Sequence, residues 1–305
     1  MSELTTTELC DDLDAGIAEY SARGFRLDMI FPADAPREAM MSLGHERLRL
    51  SQKNRQLDEQ SLPTSLPNDS QKWIRGRAGM EYRDLLPNRL NGRLIASHIR
   101  LTKGGEVPDY VHYHKVRFQM IYCVAGAIKV VYEDQGPPFW LRPGDLVLQP
   151  PEIRHRVLQA EAGSEVIELG VPAVHETWVD HDISLPTASH DPERNFGGQR
   201  FFRHMAARGV WNLAGSNSCC DTGIEAATSG FAGVRFIRLR NSEPMAMKLR
   251  NGETNIFLYC LNGSVQVGSA TYSVTLEAGV FLPIASDSKL RSGSAELMAI
   301  SLSET

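Results

Sequence analysis

Between residues 93 and 173 the chain is a succession of short apolar runs of strand length, each closed by Gly, Pro or Asp punctuation. They read RLIASHIRL, YVHYHKVRF, QMIYCVAG, AIKVVYED, FWLRPGDLVLQ, HRVLQA and EVIELGVP. Regular short strands separated by turn signals predict an all-β barrel or sandwich. A second block of the same character spans 231–302: FAGVRFIRLR, NIFLYCLNGSVQVGS, ATYSVTLEAG, VFLPIAS and AELMAISL. The blocks align at one constant offset, QMIYCVAGAIKVVYE on IFLYCLNGSVQVGSA, which sets Tyr122 on Tyr259, Cys123 on Cys260 and Gly126 on Gly263. RPGDLVLQP has a looser partner in LEAGVFLPI. The pattern reads as a divergent duplication of one small β-barrel. A chain of 305 residues has room for two such domains, at roughly 150 residues each.

The flanks differ. Leu9, Leu13, Ile17 and Tyr20 recur at helical spacing, which predicts one helix over 4–22 with Thr5–Thr7 supplying the N-cap and Gly24 as the stop. FRLDMIF (25–31) and REAMMSLGHERLRL (37–50) read as strands, and 51–72, polar and rich in Pro and Ser, as a loop. A second polar stretch, 174–199, reads as a connection between domains. The expected division is 1–72 for the N-terminal helix and strands, 73–185 for the first barrel and 195–305 for the second.

Composition narrows the function classes. Lys and Arg number 32 against 37 Asp and Glu, a net charge of −5, without the basic footprint of a nucleic-acid binder. The N-terminus is acidic and lacks an apolar core, so no secretory signal is expected. No apolar run approaches the roughly 18 residues of a membrane span. Five cysteines without a C-x-x-C pair argue against a disulfide framework or a zinc ribbon and for reduced thiols in a cytoplasm. No P-loop, dinucleotide fingerprint, G-x-S-x-G or H-E-x-x-H is present.

The chemistry-bearing residues lie at 104–155. His112 and His114 are spaced i, i+2, so on a strand both point to one face. A strand across the barrel is expected to bring His155 to the same point. Three neutral imidazoles converging in a closed pocket make a site for a divalent transition metal. Gln119 is either a fourth, weaker ligand through its amide oxygen or a hydrogen-bonding partner of a metal-bound water or substrate. The same parity places Tyr110 on the face of His112 and His114, and Arg117 on the face of Gln119 and Cys123. Arg117 is then a candidate to hold a substrate carboxylate, Tyr110 to donate a proton or hydrogen bond, and Gln149 to line the pocket. Glu168 reads as an exposed strand carboxylate, with a base as the alternative. His98 reads as a structural histidine, and Arg154 and Arg156 as outward-facing.

At these residues the sequence resembles the cupin superfamily. Its first motif is written G-x5-H-x-H-x3,4-E-x6-G. Here His112, His114 and Gly126 match, Gly105 stands one residue further away, and Gln119 replaces the Glu. In the second motif, G-x5-P-x-G-x2-H-x3-N, Gly144, Pro150 and His155 match, while Glu152 and Gln159 replace the Gly and the Asn. The resemblance covers about 80 residues closely and extends weakly to the C-terminal block. It implies two cupin barrels in one chain, the first holding metal on His112, His114, His155 and Gln119, and a homodimer. The family includes dioxygenases, decarboxylases, isomerases, epimerases and sugar-binding modules.

Replacing the Glu by Gln119 leaves the ion's formal +2 charge uncancelled, which favours an anionic chelating substrate. The site is in this respect similar to the three-His iron sites of gentisate-type ring-cleaving enzymes and thiol dioxygenases. It departs from the ligand set of oxalate decarboxylases. Three readings follow: a mononuclear Fe(II) dioxygenase, with Arg117 positioning the substrate and Tyr110 assisting; a redox-free isomerase, lyase or decarboxylase using Zn, Mn or Ni; and a small-molecule sensor without catalysis. In the second block the ligand positions fall on Leu249, Asn251, Ile256 and Leu290, none a good ligand, so that copy is expected to be metal-free.

Overall fold

A computed structural model describes residues 5–33, 36–53, 73–76, 79–86, 89–240, 243–247, 253–269, 273–284 and 288–303. It divides into two compact units. The first holds the described residues up to Pro143 together with Gln149–Gly197, and the second holds Gly144–Leu148 with Gly198 onward. Both are built of strands, as the repeated apolar runs require. Most of the loop expected over 51–72 lies outside the described residues.

The helix is shorter than its periodicity suggests. It runs Leu13–Ala22, and its N-cap is Asp12, whose carboxylate accepts the Ala15 N–H at 2.8 Å. The residues before it, Thr5–Cys10, form a strand parallel to Glu46–Gln52, with Thr5 opposite Arg47 and Cys10 opposite Gln52. Leu9 fits the helical spacing but is 61% exposed. The β-branched Thr5–Thr7 prefer an extended chain, and a partner strand distant in sequence was available to them. The stop is as expected: Gly24 takes φ +93°, and the Phe25 N–H returns to Tyr20 O at 3.0 Å. The helix packs Leu13, Ile17 and Tyr20 against Ile30, Ala39, Met41, Leu48 and Leu50 of the adjoining strands.

Two sheets make up the first unit. One runs, in spatial order, Thr5–Cys10, Glu46–Gln52, Glu38–Leu43, Arg26–Phe31, Thr177–Val179, His112–His114, His155–Ala160, Ile128–Tyr132 and Phe139–Leu141. The N-terminal strands therefore continue the sheet that carries the histidines. The polar stretch after residue 173 is more than a connection. Thr177–Val179 is inserted between Arg26–Phe31 and His112–His114, with Thr177 opposite both Ile30 and His114. Its sequence, HETWVDHD, has too little apolar content to read as a strand, because hydrogen bonds on both edges set its conformation. The facing sheet runs Phe118–Ala125, Ser164–Val171, Ile95–Leu101, Glu81–Asp84 and Ile74–Arg75.

The duplication is visible in the backbone. In the first unit Phe118–Ala125 pairs with Ser164–Val171, and the register slips between Cys123 and Ala125. In the second, Glu253–Gly268 pairs with Ser294–Ser303 and slips between Cys260 and Asn262, the corresponding place. Cys123 and Cys260 are both fully buried, and their thiols point at the carbonyls two and three residues on. The glycines that follow both lie in the left-handed region, Gly126 at φ +65° and Gly263 at φ +78°. Burial holds the Cys260 thiol up at about 11, a structural rather than a reactive thiol. The interiors have diverged. In the second unit Ile256 and Leu290 belong to an apolar cluster with Leu239, Leu258, Val267 and Leu297. Leu249 and Asn251 lie outside the described residues.

Candidate metal centre

The first unit's sheets enclose a cavity of about 60 Å³ lined by His112, His114 and His155 from one sheet and by Gln119 and Glu168 from the other. His155 lies directly opposite His112 across the strand pair. The ring centroids are 4.3 Å apart for His112 and His155, 5.1 Å for His112 and His114, and 5.2 Å for His114 and His155. One ligand nitrogen from each lies within 4.8 Å of the others, the single such group of His, Cys, Asp or Glu among the described residues.

Each imidazole is oriented through its Nδ1. His112 Nδ1–H donates to Tyr110 O at 2.8 Å, and His155 Nδ1–H donates to Ile153 O at 2.9 Å. His114 Nδ1 lies 2.8 Å from Thr177 Oγ1. A carbonyl can only accept a hydrogen bond, so at His112 and His155 the tautomer carrying hydrogen on Nδ1 is selected, and Nε2 bears the lone pair a metal would use. Asp109, also buried, accepts the Val157 N–H at 2.9 Å and sets its other oxygen 3.6 Å from His112 Nδ1. Tyr132 stacks on the His155 ring, and His175 meets the His114 ring edge-on at 5.5 Å. These donors fit a divalent transition ion: three neutral nitrogens, buried, pre-oriented and closely spaced.

Thr177 is the part of this arrangement that sequence reading missed, since nothing local ties residue 177 to residue 114. Thr177→Val keeps the shape and removes the hydroxyl. It is expected to weaken metal binding by about 10–100-fold while leaving the fold intact, as measured by chelator competition. Unchanged affinity would remove Thr177 from the site.

The other expected residues divide. Gln119, 1% exposed, is in the cavity, and its Nε2–H donates to Glu168 Oε1. Glu168 fixes the orientation of the amide through one N–H, and the carbonyl oxygen is the atom of Gln119 that could ligate a metal. Glu168, expected at the surface, is half-buried and lines the cavity. The strand it sits on is covered on both faces, so alternation alone could not say which side is wet. Gln149 is in the cavity and donates through Nε2 to the Tyr132 hydroxyl at 3.0 Å.

Arg117 is exposed and does not line the cavity. Parity would set Arg117 on the face of Gln119 only along one continuous strand, and the chain leaves the first sheet after His114 and enters the second at Phe118. Tyr110 precedes the three-residue strand His112–His114. Its carbonyl holds His112, its ring packs edge-on to the imidazole at 5.8 Å, and it is not among the lining residues. Arg154 faces away, over the Tyr113 ring and bonded to Asp180 at 2.9 Å.

His98 lies on the outer face. Its Nε2–H donates to Glu165 at 2.7 Å and its Nδ1 accepts from Arg83 at 3.0 Å. Burial lowers its pKa below the usual imidazole value, and Arg83 and Arg100 push the same way against Glu165. A histidine that binds protons more weakly folded than unfolded contributes stability in full above the unfolded value of about 6.5. That contribution is lost as pH falls below it toward the folded value. His98→Asn, which cannot take the proton, is expected to lose less stability than the parent between about pH 7 and pH 5. Parallel denaturant midpoints across that range would rule His98 out as the source.

Residues 97–169 match the family model described as Cupin domain. No curated protein matches the sequence. Among solved structures, the fold is similar to a two-residue deletion mutant of the oxalate decarboxylase of Bacillus subtilis, with a TM-score of 0.57 and 11% identity over 77% of this chain and 75% of that one. It is also similar to a salicylate 1,2-dioxygenase from Pseudaminobacter salicylatoxidans, with a TM-score of 0.55 and 16% identity over 72% of this chain and 75% of that one. At these identities the likeness is one of fold.

Proposed function

Residues 97–169 of this chain are a cupin domain, and from that premise we propose that the protein is a metal-dependent cupin enzyme, a mononuclear Fe(II) dioxygenase acting on a small anionic chelating substrate. The observation that carries this is the ligand set. His112, His114 and His155 converge with no carboxylate among them, so a bound ion keeps its +2 charge and attracts an anionic oxygen or sulfur. Bound there, iron supplies a Lewis-acidic, redox-active centre for the substrate and O2.

The chain's own residues do the rest. Carbonyls of Tyr110 and Ile153 and the hydroxyl of Thr177 hold the three rings in place. Glu168 fixes the Gln119 amide. The Tyr132 hydroxyl and Gln149 amide offer hydrogen bonds to a substrate oxygen, and Ile121, Ile128, Val130 and Val157 exclude water. Tyr110 acts by positioning His112.

The test is elemental analysis of protein purified without added metal, followed by oxygen uptake with small enolates and thiols. Near-stoichiometric iron with oxygen consumption is the expected result; turnover undiminished under anaerobic conditions would overturn it. A second reading is favoured by Glu168, a carboxylate within the cavity that can serve proton transfer in a redox-free isomerase or lyase using Zn, Mn or Ni. Anaerobic turnover is its signature.

A further inference from the structure

We propose that the metal cavity selects a small, singly charged chelator with an apolar body and rejects dicarboxylates, and that Glu168 enforces that choice. This rests on the metal reading above and specifies its substrate class.

Three observations carry it. The first is size: about 60 Å³ is well below the roughly 150 Å³ of an apolar cavity that holds benzene, so the space suits a few heavy atoms. The second is charge. Among the described residues lining the cavity there is no lysine or arginine. Arg117 is exposed, and Arg83 and Arg100 stack on the Trp73 ring at 5.0 and 4.0 Å on the outer face of the sheet. The third is Glu168, whose carboxylate shares the cavity with the three imidazoles and accepts from Gln119.

A divalent ion on three neutral imidazoles and Glu168 together carry a net charge of +1. One anionic group from the substrate brings the charge of the lining to neutrality, and the buried Asp109 behind His112 disfavours any further anion. A second would stand beside Glu168 in a cavity walled mostly by apolar side chains, where uncompensated charge is disfavoured. The remaining walls, among them Met80, Ile99 and Leu101, match an alkyl body.

The experiment uses the full chain loaded with zinc, which is redox-inert, and titration calorimetry at neutral pH with two chelators of similar size. Acetohydroxamate chelates with one charge and carries a methyl group; oxalate carries two charges. Acetohydroxamate is expected to bind at least about tenfold more tightly than oxalate. Glu168→Gln, which keeps an acceptor for the Gln119 amide, is expected to shrink that ratio at least about fivefold by strengthening oxalate binding. Equal or tighter oxalate binding by the parent, an unchanged ratio in the variant, or no binding of acetohydroxamate each overturns the proposal. A chain that takes up no zinc overturns the metal reading itself, and this proposal with it. A loaded but unselective site overturns the proposal alone.

Discussion

His112→Ala is expected to abolish tight metal binding. The ring is fully buried, its tautomer is set by Tyr110 O, and its strand lies between those carrying His155 and Thr177. Backbone pairing on both sides prevents a neighbouring side chain from swinging into its place. Removing a partner of a ligand typically costs 10–100-fold in affinity, and removing the ligand itself is expected to exceed the upper end of that range. Elemental analysis of parent and variant purified side by side measures it, with circular dichroism to show that the strands persist. Stoichiometric metal retained by a folded variant would sink the assignment of all three histidines.

Gly263→Ala is expected to be the most destabilising small substitution in the second unit, with Gly126→Ala its counterpart in the first. Both residues hold a positive φ, which disfavours any side chain by roughly 1–2 kcal/mol. Space adds to this. A Cβ on Gly263 would stand 2.4 Å from Ser294 O and 3.2 Å from the Ala295 Cα, both backbone atoms of the paired strand. On Gly126 it would meet the Ser164 Cα at 2.8 Å, and Ser164 is held by its hydroxyl between the Ala127 N–H and Glu161 O. Neither neighbour can rotate away, so a loss of about 3 kcal/mol or more is expected. Gly44→Ala is the control: its φ is +57°, but nothing lies within 4 Å, so only the left-handed penalty remains. Denaturant midpoints compare the three. If Gly263→Ala costs no more than Gly44→Ala, the close approach of the two strands is wrong.

The same two glycines show how much of the fold was legible. Gly126 and Gly263 were found by aligning the chain with itself, and the structure gives both a left-handed φ beside a register slip after a buried cysteine. A tight turn needs glycine wherever it occurs, so its signal survived after the interiors diverged to His155 in one copy and Leu290 in the other. The convergence of His112 and His114 was equally plain, because the alternation of a single strand is a local property. The helix stop at Gly24 is likewise a local signal, whereas the helix start at Leu13 is not. Asp12 and the strand partner of Thr5–Cys10 decided it, and the partner lies some forty residues on.

What the sequence by itself determined is therefore what local stereochemistry encodes: strand-length runs, glycine turns, the duplicated block and three histidines at spacings that can converge. Only the tertiary structure decided the rest of the cavity. Thr177 joins His114 through the pairing of strands distant in sequence. Glu168 faces inward on a strand buried on both sides. Arg117 drops out because the chain changes sheets between His114 and Phe118. The physical reason is common to all three. Side-chain direction follows from parity only within one unbroken strand, and which strands become neighbours is set by the burial and hydrogen bonding of the whole sheet.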